Sequence, residues 1–121
     1  MKKIETSEAA VKASIRNWLA KYRCFRFAMS GNFMGGMPDT IVTIQHSAAA
    51  LPPLGSGGRA AILSTHIVIG IECKRPGKDA TDKQKAKHDE LRRQGWLVVV
   101  VHSLDELKKF LADHNIDLGN G

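Results

Sequence analysis

Several features that would place a small protein in a familiar class are missing from this chain of 121 residues. Its two cysteines, Cys24 and Cys73, form no CxxC motif and no zinc-ligand spacing, which disfavours a disulfide framework and a zinc module. No apolar run approaches the roughly 18 residues of a membrane helix, and no hydrophobic signal region opens the chain. We therefore expect a protein that is neither secreted nor membrane-spanning and works in a reducing, cytoplasmic compartment.

Several catalytic motifs are missing as well. The five histidines show no HExxH spacing, and the glycine-rich stretch 30–36 lacks the lysine of a phosphate-binding P-loop. Structural or solvated histidines are the expectation, with His88 as a partial exception. It lies one turn beyond Gln84 on the same face of a predicted helix and could approach a phosphate.

The overall composition indicates one soluble globular domain spanning residues 1–121. Hydrophobic residues make up 43% and charged residues 25% of the chain, which are ordinary proportions. The formal net charge is +6 and the pI is about 9.6, so a polyanionic partner is favoured.

Hydrophobic periodicity predicts the order α-β-β-β-α-β-α, an α/β domain with a mixed sheet flanked by helices. The predicted helices cover about 7–22, 81–94 and 104–112, and the predicted strands cover about 24–29, 39–45, 65–74 and 96–101. Strand 96–101 is continuously apolar, which predicts burial on both faces. A capping box is expected at Ser103 with Glu106, a flexible Pro/Gly-rich connection over about 46–61, and a frayed tail over 115–121.

The most informative segment is Ile71-Glu72-Cys73-Lys74, where an apolar strand ends in a carboxylate and an ammonium two residues apart. Side chains alternate across a strand, so Glu72 and Lys74 share one face and Cys73 points to the other. Upstream, Gly36-Met37-Pro38-Asp39 places another carboxylate at the start of a strand. Together these groups can hold a divalent cation and a water.

Metal-assisted phosphodiester hydrolysis needs these side chains. Mg²⁺ prefers oxygen ligands and requires only one or two carboxylates, with phosphate oxygens and waters completing its shell. A nearby lysine can orient the attacking water or neutralise the charge that develops in the transition state. Asp39, Glu72 and Lys74 supply these groups, and the backbone carbonyl of Cys73 is a further possible oxygen ligand.

At this point the chain resembles a known family. The pattern Gly36-Met37-Pro38-Asp39, then Ile71-Glu72-Cys73-Lys74, then Gln84 on the next helix looks like the VRR-NUC branch of the PD-(D/E)XK nuclease superfamily. Glu8 matches the acidic residue that the family carries near its start, and the element order and the segment 94–100 also match. The resemblance covers about 7–111 and implies a restriction-endonuclease-like core.

The resemblance implies a role for each matching position. Asp39 and Glu72 would bind Mg²⁺ or Mn²⁺ with the Cys73 carbonyl, and Glu8 would support the metal through a water. Lys74 would act on the attacking water or the transition-state charge, and Gln84 would position the lysine or the substrate phosphate. Products would carry a 5′-phosphate and a 3′-hydroxyl.

Each of these residues also has a structural alternative. Glu72 and Lys74 could form a surface ion pair, worth only about 0–1 kcal/mol. Gln84 could complete a capping box with Thr81, and Glu8 could be a first-turn acid favoured by the helix dipole, with Glu5 as a neighbouring substitute.

Basic residues crowd the second predicted helix and the turn before it. They either form a solvated helix face or track DNA phosphates without reading sequence. The candidates for DNA contact are Arg75, Lys78, Lys83, Lys85 and Lys87.

The resulting hypothesis is a metal-dependent, structure-selective DNA endonuclease that acts in a bacterial or phage-infected cell, as in DNA repair. Stand-alone relatives are similar to Holliday-junction resolvases, so the resemblance implies a homodimer that makes paired incisions in four-way junctions. The alternatives are a flap or nicking nuclease on other branched DNA and a nucleic-acid-binding module without catalysis.

Overall fold

The computed structural model describes residues 7–22, 24–28, 35–45 and 66–118, and the predicted connection over 46–61 lies outside them. The described chain forms three helices and four strands in the order α-β-β-β-α-β-α expected from the sequence. Their bounds are α1 Glu8–Leu19, β1 Phe25–Ala28, β2 Thr40–Gln45, β3 His66–Cys73, α2 Asp82–Arg93, β4 Leu97–Val101 and α3 Leu104–Asp113. Within these described ranges, no helix has the length and apolar character needed to cross a membrane.

The four strands form one mixed sheet in the order β1-β2-β3-β4. β1 pairs antiparallel with β2 and β2 antiparallel with β3, whereas β3 and β4 run parallel. A parallel pair needs a crossover connection, and α2 supplies it between β3 and β4. The predicted α/β class and mixed sheet are therefore confirmed.

The hydrophobic core lies on one face of the sheet, under α1 and α3. Val11, Ile15 and Leu19 recur at helical spacing on α1, and all three are buried. They pack with side chains of the two central strands and of α3, including Ile69, Ile71, Cys73, Val101, Leu107 and Leu111. Because strand residues alternate, Gly70 and Glu72 face the opposite side, where α2 packs.

Local sequence signals determine where the helices begin and end. Ser7 Oγ accepts from the N–H of Ala10, and Thr81 Oγ1 accepts from the N–H of Gln84, so both hydroxyls cap orphan donors of a first helical turn. Gly95 follows α2 with a φ of +94°, a left-handed conformation that only glycine adopts without strain.

The expectation that the last strand is buried on both faces is wrong. β4 lies at the edge of the described sheet, and only Val98 and Val101 are fully buried, while the other three residues are half-buried. The run of valines therefore reflects helices packing against an edge strand and not a central position in the sheet.

Two further expectations near the C terminus need correction. Ser103 does cap α3, but the carboxylate of Glu106 binds the N–H of His102, at 3.0 Å, and not that of Ser103, so the capping box is only half formed. The predicted frayed tail starts too early, because Leu118 is buried and Ile116 N–H donates to the Leu111 carbonyl. Residues 119–121 lie outside the described part.

Candidate active site

The predicted site residues converge where β3 ends and β2 begins. Because these strands are antiparallel and Thr40 pairs with Ile71, Asp39 and Glu72 flank the same end of the sheet. The Cys73 N–H donates to Asp39 Oδ2 at 2.8 Å, which connects two residues 34 positions apart in the chain. At this end of the β2–β3 ladder, the Asp39 side chain takes the place of a backbone acceptor. The hydrogen bond fixes the direction of the Asp39 carboxylate.

A close approach between Pro38 and Gly70 brings Asp39 into this position. A Cβ atom built on Gly70 would lie 2.7 Å from Pro38 Cγ, which is closer than carbon atoms can pack. The missing side chain on β3 therefore makes room for the proline ring, and Pro38 is fully buried. Since the proline ring fixes φ, the backbone leading into Asp39 has little freedom.

Glu72 is the most strongly buried acid of the site, with 2% of its surface exposed. Its Oε1 atom has no hydrogen-bond partner, and His88 Nε2 lies 3.5 Å from it. Burial raises the pKa of Glu72, and the neighbouring Asp39 carboxylate raises it further, whereas His88 and Lys74 act in the opposite direction. A buried anion of this kind is a functional-site signal because it is costly to maintain.

Cys73 lies between the acid and the lysine and presents its backbone to the site. The N–H and C=O of one strand residue point to the same side, so the Cys73 carbonyl faces the side of Asp39. Its thiol lies in the core on the other face, as the alternation predicts, and burial raises its pKa to about 12. The thiol is thus neither a thiolate ligand nor a nucleophile at neutral pH.

Lys74 follows β3 directly and is held by the sheet. Its N–H donates to the Val101 carbonyl at 3.0 Å, and only 8% of the residue is exposed. Its charge is near enough to lower the pKa of Glu72, yet no carboxylate of the described residues lies within 4.0 Å of its ammonium. The surface ion pair between Glu72 and Lys74, the structural alternative, is therefore not formed.

Glu8 is connected to the site through a residue that sequence reasoning missed. Lys12 Nζ lies 3.2 Å from Glu8 Oε2 and 3.4 Å from Asp39 Oδ1, so its ammonium bridges the two carboxylates. Burial alone would lower the pKa of Lys12, but the two acids outweigh it and raise that pKa. The spacing of Glu8 and Lys12, one helical turn apart, was the available signal.

Gln84 occupies the structural position that its sequence context allows. Its Oε1 accepts from the Thr81 N–H at 2.8 Å, and together with the Thr81 hydroxyl it completes a reciprocal capping box. One turn further along α2, His88 reaches the sheet and faces Glu72. The structure therefore brings His88 next to the site acids.

The basic residues predicted to contact DNA lie just before α2 and in its first half. Arg75, Lys78 and Lys83 are exposed, and none of them has a carboxylate within 4.0 Å among the described residues. Lys85 instead pairs with Asp79 at 3.1 Å and Lys87 with Glu90 at 2.9 Å, and the acid of each pair is mostly exposed. Such exposed pairs are weak, so a phosphate can compete for both lysines.

The oxygen ligands of the candidate site suit a hard divalent cation such as Mg²⁺ better than a transition metal that prefers nitrogen or sulfur ligands. In the described ranges, no group of three or more His, Cys, Asp or Glu side chains is arranged to hold a metal ion. Two neighbouring carboxylates and a carbonyl nevertheless meet the needs of Mg²⁺, which keeps several waters and takes oxygen ligands from phosphate. A cation bound by Glu72 and Asp39 would relieve the mutual repulsion of the two carboxylates.

A mixed sheet flanked by helices, with two acids and a lysine at the end of its central strands, defines an α/β protein of the restriction-endonuclease-like class. The family model described as the VRR-NUC domain matches residues 2–105, and the chain belongs to this family. The family membership gives it a nuclease-type function, with nucleic acid as the substrate class.

The fold has a counterpart among solved structures. A chain described as a "VRR_NUC domain protein" is similar over 99% of this chain and 94% of its own length, with a TM-score of 0.60 and 20% sequence identity. At this identity the likeness concerns the fold. No curated protein matches the sequence. The resemblance inferred from the motif residues is thereby confirmed.

Proposed function

We propose that this protein is a metal-dependent endonuclease that hydrolyses phosphodiester bonds in branched DNA. The observation that carries the proposal is Glu72, a carboxylate that is 2% exposed, has an unpartnered oxygen and lies beside a second carboxylate. If this strand end had only a structural role, an apolar residue at position 72 would make the fold more stable, because a buried charge without a partner destabilises it. A divalent cation compensates both negative charges.

The residues that would hold the cation are Asp39, Glu72 and the carbonyl of Cys73, with Glu8 acting through a water. Mg²⁺ or Mn²⁺ suits this all-oxygen set. When bound, the cation supplies Lewis acidity at the phosphate and acidifies a water. The chain holds the ligands in place by the Cys73–Asp39 hydrogen bond at 2.8 Å and by the burial of Glu72.

Lys74 supplies the fixed positive charge of the mechanism. Its buried position limits the directions that its ammonium can take, so the charge is preorganised toward the attacking water or the non-bridging phosphate oxygens. Cleavage of the bond between phosphorus and the 3′-oxygen would leave a 5′-phosphate and a 3′-hydroxyl.

Gln84 combines its capping role with a role at the site. Its Oε1 is engaged by the Thr81 N–H, whereas its amide nitrogen has no hydrogen-bond partner among the described residues. The cap therefore fixes the Gln84 side chain and leaves its amide N–H as a donor. This donor can serve a substrate phosphate or the attacking water that Lys74 would orient. The helix N-terminus at the same place favours a negative group.

The basic side chains around α2 support a sequence-tolerant grip on DNA. The candidates are Arg75, Lys78, Lys83, Lys85 and Lys87, and contacts of this kind go to phosphates and position the duplex without reading bases. A four-way junction has two-fold symmetry, which matches a homodimer in which each subunit cuts one strand.

A cleavage assay with matched variants tests the proposal. Wild type, Asp39→Asn and Lys74→Met are incubated with labelled four-way junction, flap and plain duplex in Mg²⁺, with Asp113→Asn and Lys109→Met as controls. The control residues form an exposed ion pair toward the C-terminal end of α3, with 3.0 Å between Lys109 Nζ and Asp113 Oδ2. We expect paired junction incisions that fall at least about 100-fold in both site variants, with junction binding retained.

The substrates separate the alternatives from each other. Preferred cutting of flaps would replace the junction assignment with a flap nuclease, and binding without cutting of any substrate would indicate an inactive binding module. Wild-type cutting rates in Lys74→Met, or cutting that persists in EDTA, would overturn the mechanism.

A further inference from the structure

The single fully buried residue of α2 is a histidine. The helix runs DKQKAKHDELRR, and His88 is its one buried side chain, with 1% of its surface exposed. A helix of this polarity usually anchors to a sheet with an aliphatic side chain, because burying an imidazole costs free energy unless its nitrogens are hydrogen-bonded. The buried imidazole of His88 therefore needs a hydrogen-bond partner.

The partner is the site carboxylate. His88 Nε2 and Glu72 Oε1 lie 3.5 Å apart, both atoms are shielded from solvent, and neither has another hydrogen-bond partner in the described part of the chain. Two polar atoms at that separation leave no room for a water between them. The distance exceeds the 2.7–3.2 Å of a good N–H···O bond, so the two groups are adjacent but not bonded.

We propose that His88 is a positioning residue, which donates from Nε2 to Glu72 Oε1 and turns the other carboxylate oxygen toward the divalent cation. The inference rests on the proposed function, because it assigns Glu72 as a cation ligand. Hydrogen bonds at such sites are often long in the free protein and shorten when the ligand binds. The bond needs an imidazole with its proton on Nε2.

This arrangement explains how one buried carboxylate can serve two partners. Each carboxylate oxygen has a syn and an anti lone pair, so Oε1 can accept from His88 while the second oxygen stays available to a cation. Partners behind a metal ligand of this kind fix its rotamer, and their loss typically costs about 10- to 100-fold in metal affinity. His88 would otherwise be a buried polar side chain with no function for its Nε2.

Three substitutions of His88 distinguish the effect of its Nε2 hydrogen-bond donor from the effect of its packing. In glutamine the amide nitrogen reaches about as far as Nε2 of histidine, in asparagine it stops near the position of Nδ1, and leucine fills space without a donor. The experiment is calorimetric titration of the full chain with Mn²⁺ for wild type, His88→Gln, His88→Asn, His88→Leu and Glu72→Gln, with circular dichroism as the check on folding.

We expect His88→Gln to bind Mn²⁺ within about 3-fold of wild type, and His88→Asn and His88→Leu to bind about 10- to 100-fold more weakly. Equal affinity in all three histidine variants, or a loss as large in His88→Gln as in His88→Leu, overturns the positioning role. Wild-type Mn²⁺ binding by Glu72→Gln overturns the proposed metal site itself, which is a distinguishable result.

A measurement on the unaltered protein guards against variants that fail to fold. Long-range ¹H–¹⁵N spectra report which imidazole nitrogen carries the proton. We expect the Nε2–H form for His88 and a shift of its Nε2 resonance on addition of Mg²⁺. An Nδ1–H imidazole, or a resonance that Mg²⁺ leaves unmoved, contradicts the proposal.

Discussion

Replacing Glu72 with glutamine is expected to stabilise the folded protein while removing its ability to bind a divalent cation. The wild-type carboxylate is 2% exposed, and its Oε1 has no hydrogen-bond partner. Leaving one buried polar group unsatisfied costs about 1–3 kcal/mol, and more when the group is charged. Glutamine keeps the shape and an acceptor for His88 but carries no charge.

The expected gain in the free energy of unfolding is therefore about 1–3 kcal/mol in metal-free buffer at pH 8. For a chain of 121 residues, each kcal/mol raises Tm by about 4 °C, so the variant should melt about 4–12 °C higher. Added Mg²⁺ should stabilise the wild type by mass action and leave the variant unchanged.

The difference between the two proteins should depend on pH. Burial raises the pKa of Glu72 in the folded state above its ordinary value of 4.5, so the folded protein holds this proton to higher pH than the unfolded chain does. The wild type therefore loses stability as the pH rises from about 4.5 through the raised pKa. The advantage of Glu72→Gln appears across that window and stays constant above it.

Urea unfolding from pH 4 to pH 8, followed by fluorescence and circular dichroism, measures the effect. Glu90→Gln is the matched control, because Glu90 is exposed and its loss should change the free energy of unfolding by less than about 0.5 kcal/mol. A Glu72→Gln protein that is less stable than wild type at pH 8 would refute the reasoning, since it would mean that the buried carboxylate is well satisfied.

Three other perturbations have definite expected outcomes. Lys12→Met removes the ammonium that competes with a cation for Asp39, so Mn²⁺ should bind about 2- to 5-fold more tightly by calorimetry, and weaker binding would mean that Lys12 supports the site. Gly70→Ala forces a Cβ against Pro38 and should lower the free energy of unfolding by about 1–3 kcal/mol in urea, whereas unchanged stability would show that the proline ring moves freely. The Cys73 thiol, whose pKa is about 12, should resist a disulfide reagent in the folded protein and react in guanidinium, and rapid labelling of the native thiol would contradict its burial.

The local features of this fold could be predicted because each depends on neighbours in the sequence. Ser7, Thr81 and Gly95 are cap and stop residues whose effect acts within one turn of a helix, and the structure has them in those roles. The alternation of Glu72 and Cys73 likewise follows from strand geometry alone. The position of β4 at an edge could not be predicted, since an apolar run does not distinguish a central strand from an edge strand covered by helices.

The candidate site was predictable in its acids and its lysine but not in its supporting contacts. Asp39 lies next to Cys73 because of the β2–β3 register. The approach of His88 to Glu72 depends on how far α2 is rotated about its axis when it packs on the sheet, and that rotation is decided by the packing. The bridge from Lys12 to Asp39 depends in the same way on how α1 lies over the sheet.

The register between β2 and β3 has a practical consequence for engineering. The Gln45–His66 pair, where the chain leaves and re-enters the sheet, lies five residues along β2 from Thr40, or about 17 Å at 3.3 Å per residue. The connection between these strands therefore departs from the end of the sheet opposite to Asp39 and Glu72. Doubling the length of such a connection costs only about 0.6 kcal/mol in loop-closure entropy, so this end of the sheet is the first choice for attaching a fluorophore, an affinity tag or a DNA-targeting domain.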